Sequence, residues 1–271
     1  MSAQRPPERP AEFDSDAAHP ARVYNAWLGG KDHFPADAEA AERAAEANPG
    51  IVPAVRANRA FLGRTVRFLA AEAGIRQFLD IGTGIPAADN THEVAQSTAP
   101  DSRVVYVDND RIVLAHSRAL LAGSPEGRTD YIEADARDVE TILAEARHTL
   151  DFREPVGLML VAVLQYIPDA DDPYGVVRRL LGALPSGSHL VISHPASDIT
   201  AAEVAESMRV YNERAAAHAA ATPRTHDQVA RFFDGTELLA PGVVSLPRWR
   251  PGPDDAPAAD IPMWSGVGRK P

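Results

Sequence analysis

The chain has 271 residues, 45% of them hydrophobic and 24% charged, enough to bury a large core as one α/β domain or as a domain with a cap. A net charge of −11 gives no general attraction for a phosphate backbone, so a nucleic-acid partner is not expected. With no cysteine, disulfides, thiolate metal sites and a thiol nucleophile are all excluded.

Residues 1–17 are polar and proline-bearing, lack an apolar signal core, and are expected to form a disordered tail. Residues 18–74 have helical character and are read as an N-terminal cap. Pro20 to Leu28 makes a short helix stopped by Gly29-Gly30, which suit the left-handed position after a helix. Pro35 to Ala47 is rich in alanine and glutamate, and Asn48-Pro49-Gly50 breaks it. Val52 to Ala73 repeats Val55, Phe61, Leu62, Val66 and Leu69 near the helical period and ends at Gly74.

Strands and helices then alternate over 75–271. Gln77-Phe78-Leu79-Asp80-Ile81 reads as an interior strand running into Gly82-Thr83-Gly84. Asn90-Thr91-His92-Glu93 has the spacing of a capping box, so a helix starts there. Arg103 to Asp108 is a second strand, followed by a helix over Ile112 to Leu121. Asp130 to Ala134 is a third strand, Val156 to Leu164 a fourth, Asp172 to Leu184 a helix and Leu190 to Ser193 the core of a fifth strand. The alternation demands a parallel sheet with helices on both faces. A helical insert at about 200–234 follows: a long helix over Ala201 to Ala221 and a second, capped by Thr225, running to Phe233. Val243 to Leu246 and Met263 to Val267 are joined by a loop too short for a crossover, so they pair antiparallel at the sheet's edge. The expected architecture is a Rossmann-like, seven-stranded, mostly parallel sheet with an antiparallel edge strand. N-terminal helices and the insert serve as its lid. The longest apolar run, Val156 to Leu164, falls far short of the ~20 residues a membrane span needs, and a cytoplasmic location is expected.

Strand, glycine turn, helix, strand and acid form a nucleotide-binding βαβ unit. Gly82-Thr83-Gly84-Ile85-Pro86-Ala87 fits the loose dinucleotide pattern. Three acids favour S-adenosylmethionine (SAM) instead: Asp80 to receive an ammonium, Asp108 to accept ribose hydroxyls, and Asp135 to meet the adenine amino group. Asp138 is an alternative to Asp135, which then caps a helix, and Asp108 has an alternative as a helix cap.

The chain resembles the class I SAM-dependent methyltransferases. More narrowly it resembles a bacterial family with no assigned acceptor, which pairs Ala21-Arg22-Val23-Tyr24 and Leu28-Gly29-Gly30-Lys31-Asp32 with Asp80-Ile81-Gly82-Thr83-Gly84, Asn90-Thr91-His92-Glu93-Val94-Ala95-Gln96 and Val105-Tyr106-Val107-Asp108-Asn109-Asp110. The composition agrees with a high-GC bacterial genome, since all the basic residues except Lys31 and Lys270 are arginine. Pro86 stands where the usual loop has its third glycine, so the path from loop to helix must differ here.

The expected cofactor-binding residues are Asp80, Gly82, Thr83, Gly84, Asp108, Asn109, Asp135 and Ala136, joined from the cap by Tyr24, Gly30 and Lys31. A plain helix end explains the glycine–lysine turn equally well. Catalytic candidates are His92 near a helix start, Tyr166 after the fourth strand and His194 after the fifth. A general base is needed only if the acceptor's proton must leave early. No histidine pair has zinc-site spacing with supporting ligands, and no metal is expected. The expected reaction is in-line methyl transfer to a small molecule. Rival readings are an NAD-type oxidoreductase using the same loop, and a non-catalytic SAM-binding regulatory module.

Overall fold

The computed structural model describes residues 16–120, 123–213, 215, 220–252 and 259–271. The expected tail, except Asp16 and Ala17, lies outside them. Three helices come first: α1 (Pro20–Trp27), α2 (Pro35–Ala47) and α3 (Ile51–Ala71). Then follow β1 (Gln77–Ile81), α4 (Thr91–Thr98), β2 (Arg103–Asp108), α5 (Arg111–Leu120), β3 (Arg128–Glu133), α6 (Val139–Ala146), β4 (Gly157–Val161), α7 (Pro173–Gly182) and β5 (His189–Pro195). The chain continues through α8 (Ala201–Asn212), α9 (His226–Ala230), β6 (Glu237–Leu238), β7 (Val244–Ser245) and β8 (Met263–Arg269).

The strands form one mixed sheet in the order β3-β2-β1-β4-β5-β8-β6, with β7 also paired to β8. The first five are mutually parallel, while β8 runs antiparallel to β5, β6 and β7. Period-two alternation splits the core between the two faces. Phe78, Val104, Tyr106, Met159 and Val191 face Phe61, Val66 and Leu69 of α3, with Trp249 buried edge-on against Phe61. Leu79, Val105, Leu158, Leu160 and Ile192 pack with Ile142, Leu180 and Phe232 on the other side.

The third layer is small. α1, α2 and α8 share a core of Val23, Ala40, Ala41, Ala44 and Tyr211. Alanines on the buried stripe of α2 let α8 approach closely, so segments far apart in sequence close one roof. No helix among the described residues is long and apolar enough to cross a membrane.

Four expectations need correction. Among the described residues the sheet has eight strands rather than seven, because β6 is two exposed residues with no apolar signal. The helix expected to reach Ala221 ends at Asn212, whose side chain bonds Ala221 N (2.7 Å) and O (3.0 Å); residues 214 and 216–219 of that expectation lie outside the described residues. β4 stops at Val161 because Ala162 turns to a positive φ of 54°. α6 was read only through the alternative in which Asp135 caps a helix; Asp138 caps it instead, accepting from Thr141 N at 3.2 Å, and Val139, Ile142, Leu143 and Ala146 form its buried stripe.

Candidate functional site

β1 lies between β2 and β4, and the crossovers leave it on opposite sides of the sheet. Ligands bind beyond the carboxyl ends of strands at such a switch point. Here the gap is a cleft with about 1040 Å³ of atom-free space, open to solvent. Gly82, Thr83 and Gly84 form its floor, and Gly82 N donates to Val107 O at 2.8 Å, which holds the bend against β2. Gly82 has φ of 75°, and a Cβ there would stand 2.3 Å from Val163 Cγ2. Conformation and space both require glycine.

Asp80 and Asp108 flank the bend and are almost fully buried. Desolvation pushes the Asp80 carboxyl up to about 6, opposed by a 2.6 Å hydrogen bond from Thr91 Oγ1 and by the positive Arg59. Asp108 is also raised by burial to about 6, although its oxygens accept from Gly84 N and Asp110 N, each at 2.9 Å. Two acids held this way, beside a cation, fit a ligand that brings an ammonium and hydroxyl groups.

The loop's route explains Pro86. Ile85 to Asn90 make a detour before α4 begins, with Asp89 at φ 61° and Arg59 Nη2 donating to Ala88 O (2.8 Å) and Asp89 O (3.0 Å). Asn90 N donates to Glu93 Oε2 at 2.8 Å, so the expected capping box is half made by side chains. The Asn90 side chain turns back to accept from Ala87 N.

Of the expected cofactor-binding residues, Tyr24, Asp80, Gly82, Thr83, Gly84, Asp108, Asn109, Asp135 and Ala136 line this one cleft. Gly30 and Lys31 do not. A Cβ on Gly30 would meet the Asn25 side chain at 2.3 Å, and Asn25 Oδ1 accepts from Asp32 N, so the turn closes on α1 with Lys31 exposed. Asp135 is present but engaged. Its oxygens accept from Arg137 N, Nε and Nη2 at 2.7–2.9 Å, and this pairing holds the carboxyl below its usual range.

Among the catalytic candidates, only Tyr166 reaches the cleft. His92 faces Tyr106, whose hydroxyl accepts from His92 N and meets Nδ1, both at 2.8 Å. His194 is enclosed: Nε2 can only accept from the Arg224 guanidinium at 2.8 Å, so Nδ1 carries the proton donated to Pro195 O. Burial then drives it down to about 3, and its lone pair is already used.

Sequence reasoning missed Asn58, Arg59 and Arg224. Asn58 Nδ2 donates to Tyr24 Oη at 2.9 Å, and its Oδ1 accepts from Ser193 Oγ at 2.6 Å. Arg224, 1% exposed, donates to Leu164 O, Ile167 O and Asp169 Oδ1 and so fixes the segment carrying Tyr166. The cap is tied to the cleft by charge. Arg22 lies 3.6 Å from both Asp37 and Asp110, and His19 lies 3.1 Å from Asp110, the residue bonded to Asp108. Among the described residues no group of three or more His, Asp or Glu side chains is placed to hold a metal ion.

The sequence model of the S-adenosyl methyltransferase family matches residues 6–271. The chain belongs to that family. It is a SAM-dependent methyltransferase with SAM as its cofactor. A DUF574 family protein from Streptomyces avermitilis MA-4680 is 48% identical, covering 95% of this chain and 99% of its own, with a TM-score of 0.91. A protein described as a methyltransferase from Thermobifida fusca YX is 41% identical over 98% of this chain and 99% of its own, with a TM-score of 0.86. A SAM-dependent methyltransferase from Anabaena variabilis, 14% identical over 75% of this chain and 80% of its own at a TM-score of 0.50, shares the fold alone. No curated protein matches the chain.

Proposed function

We propose that this methyltransferase moves a methyl group to a small molecule held beneath the helical roof of α1, α2 and α8. The observation that carries this reading is a shared wall. Tyr24, Ala162 and Tyr166 line both the cleft of Asp80 and Asp108 and a second cavity under the roof. Donor and acceptor then have separate chambers that meet at one boundary.

SAM supplies, when bound, a methyl group already activated by a sulfonium. The chain's own residues hold and align. Asp80 receives the amino-acid end's ammonium and Arg59 its carboxylate, while Asp108 takes the ribose hydroxyls. Asn109 and Ala136 flank the adenine, and Asp135 acts there by fixing Arg137 rather than as a free acceptor. The roof excludes water and keeps the acceptor in line, so positioning supplies most of the rate enhancement. Burial raises Tyr24 to about 12 and raises Tyr166 as well, so both phenols stay protonated; the Tyr24 hydroxyl already donates to Val55 O at 3.2 Å, which leaves Tyr166 to orient the acceptor as a donor. The acidic charge of −11 supports a small acceptor over a nucleic acid.

Isothermal titration of the full chain with SAM, S-adenosylhomocysteine (SAH) and NAD tests the cofactor assignment, with binding of the first two and not the third expected. Transfer of labelled methyl to a panel of small acceptors tests the reaction. Tight NAD binding without SAH binding returns the loop to the dinucleotide reading. SAH binding with no transfer to any acceptor class favours the regulatory module.

A further inference from the structure

The second cavity has a character that the charged cleft lacks. It spans about 680 Å³ of atom-free space, and none of its lining residues is Asp, Glu, Lys, Arg or His. Its walls carry Tyr24, Trp27, Val204, Met208, Tyr211 and Met263, contributed by α1, α8 and the start of β8. An ionised acceptor placed there has no partner for its charge, and leaving a charge unpaired away from water is strongly unfavourable. Flat aromatic and thioether surfaces favour a planar apolar body.

The cavity's polar groups narrow the ligand further. Trp27 Nε1 already donates to Ala41 O at 2.9 Å, Asn48 Oδ1 accepts from Gly50 N at 2.9 Å, and Ser207 Oγ donates to Ala44 O at 3.2 Å. These side chains serve the roof's own backbone. Gln165 differs. Its Nε2 donates to Ala162 O at 2.7 Å, but Oε1, in a residue only 4% exposed, meets no donor. In the same wall the Tyr166 hydroxyl hydrogen-bonds the side chains of Gln165 and Tyr211. Buried acceptors without donors are rare in proteins, and this one lines a chamber adjoining the donor cleft.

We propose that the acceptor is a neutral, predominantly apolar aromatic molecule bearing one O–H or N–H, which donates to Gln165 Oε1 in the chamber behind Tyr24 and Tyr166. The inference rests on the methyl-transfer reading and adds the substrate's chemical class to it.

The test uses the full chain saturated with SAH, with 2-naphthol as the probe. Its charged counterparts are 2-naphthoate and 2-naphthylmethylammonium, and 2-methoxynaphthalene lacks the donor. By calorimetry 2-naphthol is expected to bind at least tenfold more tightly than either charged compound. Gln165→Leu should weaken 2-naphthol at least fivefold and leave 2-methoxynaphthalene within twofold. Met208→Trp, which fills the chamber from α8, should weaken 2-naphthol at least tenfold and change SAH affinity less than twofold. That retained SAH affinity shows the variant is folded, and Val204→Phe provides a second filling variant. Equal or tighter binding of a charged compound overturns the proposal. So does 2-naphthol binding that both filling variants leave unchanged, or no binding of either neutral probe when SAH binds. If SAH itself fails to bind, the cofactor reading is what fails. The 2-naphthol titrations are then run without SAH, and the filling variants still decide the chamber's preference.

Discussion

The two chambers share a wall and almost nothing else. The cleft proposed for the cofactor is built at strand ends, where Asp80 and Asp108 are buried at an electrostatic cost beside a bend of glycines. The second cavity lies under the roof, and none of its lining residues is Asp, Glu, Lys, Arg or His. The sheet supplies charge in fixed positions, because each strand delivers one residue to its carboxyl edge at a set register. The roof supplies shape. On the proposed reading, cofactor chemistry sits at the sheet and the choice of acceptor among the small helices.

The division is broken most severely at the wall. Arg224→Ala removes the guanidinium that holds Leu164 O, Ile167 O and Asp169, leaving carbonyls without donors. A stability loss of about 3 kcal/mol is expected from denaturant titration. Asp108→Ala acts on one chamber only. SAH affinity should fall by about 1–3 kcal/mol, the scale of a buried polar partner left unpaired, and unchanged affinity rejects the ribose assignment.

Asp80→Asn sharpens the comparison through pH. The folded carboxyl, raised by burial to about 6, binds its proton more tightly than the unfolded chain does, near the usual value of about 4. That stabilisation is present below about pH 4 and is lost as pH rises through 6, at most roughly 3 kcal/mol for a shift of this size. The variant carries no titrating group there, so its melting temperature should exceed wild type at pH 7.5 and converge with it at pH 4.5. Its SAH affinity should fall. In the wild type, an ammonium beside Asp80 favours the ionised form, so SAH affinity should rise between pH 5 and 7, and a flat profile removes Asp80 from the ammonium site. The smallest effect is Lys31→Ala, expected within about 0.5 kcal/mol of wild type in SAH binding. A larger loss would bring the glycine turn back to the cofactor.

The sheet and the cofactor cleft were legible where local pattern and position coincide. Apolar runs ending on Asp80 and Asp108 mark strands and site together, and the Asn90–Glu93 spacing marks the start of α4. What escaped was decided by partners remote in sequence. An arginine in a string of surface-like residues gives no sign that Arg224 is 1% exposed and spans segments nearly sixty residues apart. Lys31 looked functional because it is a lone lysine beside two glycines, yet Asn25 claims that turn. The Asn212 side chain bonds both backbone groups of Ala221, a pairing that helix propensity along the sequence does not reveal. The second cavity has no motif at all. Its walls come from residues 24–55, 162–166, 195–211, 221 and 262–263, which meet only once the roof has closed.

The placement of β8 has a consequence for biosynthesis. Although last in chain order, it sits inside the sheet between β5 and β6. While a ribosome is still short of residue 269, β5 presents an unpaired, strongly apolar edge. The nascent chain therefore carries an open sheet edge from the time β5 is made until β8 arrives to cover it.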